Sequence, residues 1–508
     1  MASRLRSSVV PYLIFLGLTL PAIRALPIWD GMYYFACVLR ATQPPFSFAD
    51  FSCADHPPGF LFLAGWPQYF LHGSAVALNL ADIAWMCLAI AGASRLVQAL
   101  VGDTASAWEK ALVVSLFASA PLVIAVTYHF STDLGLLVFY PWVIDRMLRR
   151  KQLQTLLAGV GLVFSKETGV ALYAIVWLVG VMPSARRIFA GERRRDELTR
   201  AAALLVPLLL FAMYLLARHL QGLPWINSDG DWESNFGPAT LAGYAIILLL
   251  NFSWLLWGVP LGAFLVRCLQ PGRRRLLSLG GQEIQLGFIL LISTLVLTRR
   301  VPYENPRYFV TTYLPLLLFS YILLLKARVD GRVRLGYLAV LLVLNVASNY
   351  FSFDPISVAR FGSARYGAMQ MYCHYGSTER SCWGQDQMVY NQQFLQLQAA
   401  QNVLFRELRP MSDTTFVVSP FATSYMHSPL DAATFEKTER GGNTVNPRFV
   451  TADVVANEEP KPAELYVLEY PRLGAAGRRK LQPAYHVVGE AAYGTSRLKI
   501  RVTTMSRN

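Results

Sequence analysis

The chain is organised around two short motifs, W-D-G-M-Y-Y-F at residues 29–35 and A-D-H-P-P-G at residues 54–59. They follow one apolar segment and precede a long series of others. Asp30, Asp55 and His56 are ionisable groups in a short predicted loop at a membrane face. Such groups are costly there unless they are used or paired. We therefore interpret this loop as the floor of a catalytic site and the remaining spans as its walls.

The composition indicates a polytopic membrane protein. Of the 508 residues, 54% are hydrophobic and only 15% are charged, and the mean hydropathy is +0.36. These values are too apolar for a soluble protein. The net charge of +14 would suit nucleic-acid binding, but arginine and lysine cluster in short loops between apolar runs. That distribution is the positive-inside pattern. We expect membrane lipids as partners and no nucleic acid.

The apolar runs predict a bundle of about eleven transmembrane helices. Arg4 and Arg6 precede the first run, which favours a cytoplasmic N-terminus and an uncleaved span over the alternative, a signal peptide cut near Ala25. The segment 60–71 is aromatic and too short to cross, so we expect it at the interface. With this arrangement every basic cluster falls on the inner side. The predicted spans are 9–20, 75–100, 111–126, 131–147, 153–164, 169–182, 201–217, 241–266, 283–297, 309–325 and 335–350.

A change of composition near residue 351 divides the chain. Residues 1–351 are predicted to form the transmembrane domain, and the polar residues 352–508 an α/β domain on the outer side. A helix is expected at 385–408 and strands at 415–418, 464–468 and 498–502. Two pairs of cysteines, Cys37 with Cys53 and Cys373 with Cys382, are spaced like local disulfides, and free thiols are the alternative. Cys87 and Cys268 fall inside predicted spans.

The predicted topology brings an unusual set of ionisable groups to the outer side. Each has a structural explanation of its own: Asp133 follows Ser131 as an N-cap cluster would, and Lys166 with Glu167 could lie at the interface. Asp229 and its acidic neighbours read as a solvated loop. Because all of these groups are predicted on the same side of the membrane, we expect several of them to line one cavity. The outer-side groups are Asp30, Asp55, His56, His129, Asp133, Lys166, Glu167, Arg299, Arg300, Glu304 and Arg307.

The order and spacing of these motifs resemble a known superfamily. H-P-P-G at residues 56–59 is similar to the histidine-diproline segment of protein O-mannosyltransferases and to the lysine-diproline of lipid A aminoarabinose transferases. The motifs S-T-D at 131–133, S-K-E-T-G at 165–169 and P-R-Y at 306–308 are similar as well. Residues 1 to about 350 thus resemble the GT-C glycosyltransferases that use polyprenyl-phosphate sugars. Two departures are Gly31, where a second acid is frequent, and Gly59, where leucine is usual.

The resemblance implies a transfer reaction. An acceptor hydroxyl attacks the sugar of a polyprenyl-phosphate donor, Asp30 takes the proton, and a cation stabilises the leaving phosphate. Arg307 is the first candidate for that cation, followed by Lys166 and Arg300. Asp133 would orient the acceptor or, with Asp30 and His56, hold a divalent cation, and no other cofactor is expected. The remaining candidate substrate-binding residues are Asp55, His56, Glu167, Arg299 and Glu304.

The resemblance leaves the sugar open, a hexose or a pentose, and the acceptor is a glycan, a lipid or a protein. The arginine- and alanine-rich composition favours a bacterial inner membrane, with the active site facing the periplasm. Three other functions compete. A lipid or glycan transporter or flippase also needs many spans, although no internal repeat is visible. A transferase with another lipid donor, such as an arabinofuranosyl one, and a membrane scaffold are the others.

Overall fold

The computed structural model describes most of the apolar part of the chain and a core of the C-terminal part. It covers residues 2–25, 27, 30–42, 51, 56–128, 130–189, 194–222, 245, 248–249, 252–270, 279–300, 306–349, 364–366, 369–371, 403, 416–418, 448–450, 452–457, 460–469, 475–494 and 499–508. Except for residue 403, the helix expected at 385–408 lies outside this set.

The N-terminal part is helical throughout its described ranges. Leu, Ile, Val, Ala and Phe dominate these segments, and a helix satisfies its own backbone groups, as a membrane span must. The helices are α1 Ala2–Thr19, α2 Asp30–Ala41, α3 Gly59–Gly65, α4 Ala75–Val101, α5 Ala107–Ala118, α6 Pro121–Tyr128, α7 Thr132–Leu148, α8 Gln152–Val163, α9 Glu167–Phe189, α10 Arg194–Ala203, α11 Val206–Leu220, α12 Trp254–Leu269, α13 Gly281–Arg300, α14 Val310–Lys326 and α15 Gly331–Ser348.

The helices confirm a helical membrane protein, and the number of spans remains a prediction. Within the described ranges, five helical stretches are long and apolar enough to cross a membrane, or six if one bent pair is counted as a span. Several others are apolar but shorter, such as α8 with 12 residues. The five stretches are Ala75–Thr104, Arg195–Leu220, Gly281–Arg299, Arg307–Lys326 and Gly331–Ser348.

The span predicted at 111–126 differs from the expectation, because it consists of two helices bent by 50°. α5 ends at Ala118 and α6 begins at Pro121. Proline lacks the amide N–H that would continue the helix. Asn345 Nδ2 of α15 donates to the carbonyl of Leu116 at 2.8 Å, and Asn349 Nδ2 donates to that of Ser119 at 3.0 Å. These asparagines satisfy carbonyl groups that the break leaves without helical partners.

The two ends of the bundle carry different sets of charges. α7 carries Asp133 in its first turn and Asp145 near its end, where Asp145 Oδ1 is 2.7 Å from Arg149 Nε. α14 begins directly after the 3-10 turn that contains Arg307 and ends at Lys326. A helix of 17 residues is about 25 Å long. Groups at the start of α7 and α14 are therefore separated from those at their ends by most of an apolar membrane core.

The segment predicted to lie at the interface has an aromatic exposed edge. α3 is followed by a 3-10 turn at Trp66–Tyr69. Trp66 and Tyr69 are each 53% exposed, and Phe70 is 72% exposed. Aromatic side chains of this kind suit the boundary between lipid and water.

The C-terminal part contains a separate hairpin, formed by β1 Ala364–Tyr366 and β2 Met369–Met371, and a mixed five-stranded sheet. The sheet contains β3 Phe416–Val418, β4 Arg448–Val450, β5 Glu464–Glu469, β6 Tyr485–Gly494 and β7 Lys499–Arg507. The strand order is β4-β3-β5-β7-β6. β3 pairs in parallel with β4 and β5, and β7 pairs antiparallel with β5 and β6. The strands expected at 415–418, 464–468 and 498–502 are present as β3, β5 and β7.

The sheet has a small apolar core of its own. Val418, Leu465, Val467 and Met505 are almost fully buried and pack with the short helices Ala452–Asn457 and Ala475–Leu481. Such a core is what an α/β domain needs in order to fold. The domain boundary near residue 351 remains a prediction.

The topology predicts which end of α4 is open to the outside. We expect a membrane-impermeant maleimide to label a cysteine at His72 in intact cells, because His72 precedes the outer end of α4. A cysteine at Asp103, beyond the other end of the same helix, should react only after permeabilisation. The same labelling of the unsubstituted protein measures the background signal from its native cysteines. Labelling of the Asp103 position from outside would invert the topology.

Candidate active site

Three charged side chains meet at the start of α7. Asp133, Lys166 and Arg307 are only 1%, 3% and 4% exposed, respectively. Lys166 Nζ lies 2.8 Å from Asp133 Oδ1, and Arg307 Nε lies 3.2 Å from Asp133 Oδ2. Each carboxylate oxygen therefore faces its own cation. One negative and two positive charges leave this buried group, which we call the charge triad, with a surplus of one positive charge.

The helix start fixes the carboxylate of the triad. Ser131 is the N-cap of α7, and its Oγ accepts the backbone N–H of Asp133 at 3.1 Å. The Ser131 hydroxyl also donates to Asp133 Oδ2 at 3.0 Å. An acidic side chain in the first turn is favoured by the helix dipole. The S-T-D motif thus acts as a cap and also orients Asp133 toward the two cations.

The aromatic ring of Tyr308 lies close to both cations and adds no negative charge to the site. Lys166 Nζ lies 4.7 Å from the centre of its ring, and Arg307 Cζ lies 5.3 Å from it. Cations at such distances are attracted by the ring quadrupole. The surplus positive charge of the triad is therefore preserved while its side chains are held in place.

A second ion pair lies directly beside the triad in sequence. His56 Nδ1 is 2.9 Å from Glu167 Oε2, and the two side chains are 12% and 9% exposed. The His56 ring also makes an edge contact with Tyr34, with 5.6 Å between ring centroids. Tyr34 lies in α2, one turn after Asp30, the first residue of that helix. The H-P-P-G motif therefore joins the turn of Lys166 to the helix that Asp30 begins.

Close packing explains the glycine that departs from the related sequences. The backbone N–H of Gly59 donates to the carbonyl of Phe164 at 3.0 Å. A methyl group on Gly59 would lie 2.7 Å from Phe164 Cβ and 2.8 Å from Phe164 O. Such a methyl group would force the backbone at Phe164 to shift. Glycine is the residue that allows the diproline segment to approach the turn of Lys166 this closely.

The structure brings five of the predicted binding or catalytic side chains together in two groups. Asp133, Lys166 and Arg307 form the triad, and His56 with Glu167 forms the pair beside it. Arg299, in contrast, is exposed on the last turn of α13. Only the backbone of Asp30 and Arg300 is described, and Asp55, His129, Glu304 and the acidic loop at Asp229 lie outside the described residues.

Two aromatic residues of this site were not predicted. Tyr308 stands inside the P-R-Y motif, and Tyr34 stands inside W-D-G-M-Y-Y-F. The signal available was their position beside ionisable residues at the ends of spans, where tyrosine also serves as an interfacial residue. Sequence alone does not separate that general role from a contact with Lys166 or His56.

The geometry does not favour Asp133 as a ligand of a divalent cation. Both of its carboxylate oxygens face positive groups within 3.2 Å. A metal ion would be repelled by these neighbours unless one of them moved. Within the described part of the chain, no three His, Cys, Asp or Glu side chains come together as a metal site.

No protein-family model and no curated protein sequence matches the chain. Solved structures, in contrast, align with the chain. ArnT from Cupriavidus metallidurans in the apo state aligns with a TM-score of 0.54 at 12% identity, over 99% of this chain and 97% of that one. The Archaeoglobus fulgidus oligosaccharyltransferase, solved with zinc and sulfate and in the apo form, aligns with a TM-score of 0.39 in both cases. Its two structures share 12% and 11% identity with this chain, of which they cover 67% and 68%. The alignments span 53% and 56% of the oligosaccharyltransferase chain.

The alignment with ArnT spans both the helical bundle and the C-terminal part. The chain therefore has the fold of ArnT, and the resemblance described from the sequence is confirmed at the level of the fold.

The triad makes a prediction about stability. Replacement Asp133→Asn should lower the free energy of unfolding by on the order of 3 kcal/mol, because two buried cations lose a counter-charge that they share. Chemical unfolding in mixed micelles measures this change. Asp103→Asn, which removes an exposed carboxylate at the other end of the bundle, is the matched control. Equal stability of the two variants would show that Asp133 does not compensate buried charge.

Proposed function

We propose that the protein is a membrane glycosyltransferase that moves a sugar from a polyprenyl-phosphate donor to an acceptor hydroxyl at the outer face. The observation that supports this proposal is the surplus positive charge of the triad. The triad is buried at the ends of spans, beside α2, which begins at Asp30. The GT-C fold supports glycosyl transfer in general. The donor and the acceptor are inferred from the chemistry of the site.

The leaving group explains why two cations surround one carboxylate. When the bond between the anomeric carbon and the phosphate oxygen breaks, the phosphate keeps the electron pair and gains negative charge. Arg307 and Lys166 would stabilise that charge by charge-assisted hydrogen bonds, which are strong in a water-poor site. Asp133 holds both cations in place before the donor arrives, so little reorganisation is needed during the reaction.

The acceptor must lose a proton as its oxygen attacks the anomeric carbon. We assign this proton to the carboxylate of Asp30, at the start of α2. The new bond joins the acceptor oxygen to the sugar, and the lipid phosphate departs with the electrons of the old one. His56 and Glu167 would act as positioning residues, because their ion pair ties the turn of Lys166 to α2 through Tyr34. No step is assigned to a divalent cation.

The lipid tail of the donor would lie in the bilayer, with its phosphate at the interface. Cys37, on α2, is disulfide-bonded, and disulfides persist in oxidising compartments such as the periplasm. This supports the outer orientation of the site, and the arginine- and alanine-rich composition supports a bacterial inner membrane as its location. The transferred sugar is a hexose or a pentose, and the acceptor is a glycan, a lipid or a protein.

The role of Arg307 can be tested by donor binding. Arg307→Ala should weaken binding of a polyprenyl-phosphate sugar at least tenfold, because a buried charge-assisted contact to phosphate is lost. Binding of labelled donor to purified protein in detergent measures the effect. Lys151→Ala, an exposed basic residue at the other end of α7, should leave binding unchanged. An unaltered affinity in Arg307→Ala would move the phosphate site elsewhere.

The role of Asp30 can be tested by separating binding from transfer. Asp30→Asn should abolish sugar transfer from labelled donor to membrane acceptors while donor binding stays near that of the unsubstituted protein, because the amide cannot take the proton. Full transfer by this variant would refute the assignment of the base. Donor that moves across the bilayer without being consumed would instead indicate a flippase.

A further inference from the structure

A cavity lies at the end of the bundle opposite the charge triad. Its volume is about 370 Å³, within the range of cavities that hold small ligands. It forms where α4 and α14 end and where α13 and α15 begin. Val101, Glu283, Lys326 and Arg334 contribute to its lining from these four helices.

The charges that line this cavity do not cancel. Lys326 Nζ is 2.8 Å from Glu283 Oε2, and Arg334 Nε is 2.7 Å from Glu109 Oε1. Each of these cations thus has a carboxylate. Arg328 is a third cation of the lining, and among the described residues its guanidinium has neither an ion pair nor a hydrogen bond. The cavity therefore has one surplus positive charge, which matches a monoanion.

The backbone at Arg328 is held in an unfavourable conformation. Its φ angle is +54°, a region that glycine adopts readily and other residues rarely do. The turn is fixed by a hydrogen bond from the Arg328 N–H to Leu325 O at 3.0 Å and by Arg334 Nη1 to Val329 O at 2.5 Å. This left-handed residue closes α14 in the same way that Arg150, with a φ angle of +57°, closes α7. The turn fixes the point from which the Arg328 side chain leaves the backbone.

The walls of the cavity are suited to a lipid. Leu100, Ile322 and Leu325 line it beside the charged groups. On α13 and α15, which contribute to the lining, Ile284 is 44% exposed and Val333 is 60% exposed, so both helices also carry apolar side chains on their outer surface. Free phosphate would leave this surface unused, whereas acyl chains would cover it.

We propose that this cavity binds the phosphate group of an anionic phospholipid, with the Arg328 guanidinium as its main contact. A phosphodiester carries one negative charge, which the surplus charge of the lining neutralises. Basic pockets between helix ends are a known form of lipid headgroup site. The site is about the length of α14 away from the triad and does not depend on the transfer reaction.

The test uses the full chain purified in detergent and exposed to phosphatidylglycerol or phosphatidylcholine. Native mass spectrometry should show retained phosphatidylglycerol, and Arg328→Gly should reduce its retention at least fivefold. This variant removes the guanidinium and also relieves the backbone, so its thermal unfolding temperature without lipid should be equal or higher. Loss of lipid therefore cannot come from failure to fold.

Arg332→Ala is the matched control, because this exposed arginine lies four residues further on and outside the cavity lining. It should retain phosphatidylglycerol like the unsubstituted protein. Equal retention by the Arg328→Gly and Arg332→Ala variants would overturn the proposal. Phosphatidylcholine retained as well as phosphatidylglycerol would do the same, and so would displacement of the lipid by millimolar inorganic phosphate, which would indicate a site for the free anion.

Discussion

A carboxylate buried among helix ends must be compensated, and in this protein Asp133 is compensated twice. Its two oxygens face Lys166 Nζ at 2.8 Å and Arg307 Nε at 3.2 Å, from residues that are far apart in the chain. Because an unpaired buried charge costs several kcal/mol, the starts of α7, α9 and α14 are tied to one another. The same requirement leaves one positive charge in excess. The arrangement that stabilises this end of the bundle therefore also prepares it for an anionic ligand.

The rest of this end of the bundle follows from that constraint. Lys166 occupies a tight turn between α8 and α9, and Gly59 allows the diproline segment to lie against this turn. The His56–Glu167 pair and Tyr34 then extend the contact to α2, which begins at Asp30. The proposed base and the proposed phosphate site are thus linked by a short series of contacts. The opposite end of the bundle also has a surplus of one positive charge. Its other lining cations are paired with carboxylates, and Arg328 binds the phosphate of a lipid.

The sequence predicted which charged residues gather at one end of the bundle better than it predicted how they pair. The expected span 75–100 corresponds to α4 at Ala75–Val101, and Asp133, Lys166 and Arg307 were expected on one face. Hydrophobic runs reveal helix ends, but not the rotation of a helix about its axis. For this reason neither the contact of Tyr308 with both cations nor the exposure of Arg299 could be predicted. The break before Pro121 was missed because the apolar run continues through it.

The most direct test of this account is a structure determined with a bound polyprenyl-phosphate sugar. We expect the phosphate oxygens to lie about 3 Å from Arg307 and Lys166 nitrogens, with Asp133 still in contact with both cations. The sugar should then lie between the phosphate and Asp30. A phosphate located at the opposite end of the bundle, or on the outer end without contact to either cation, would contradict the account.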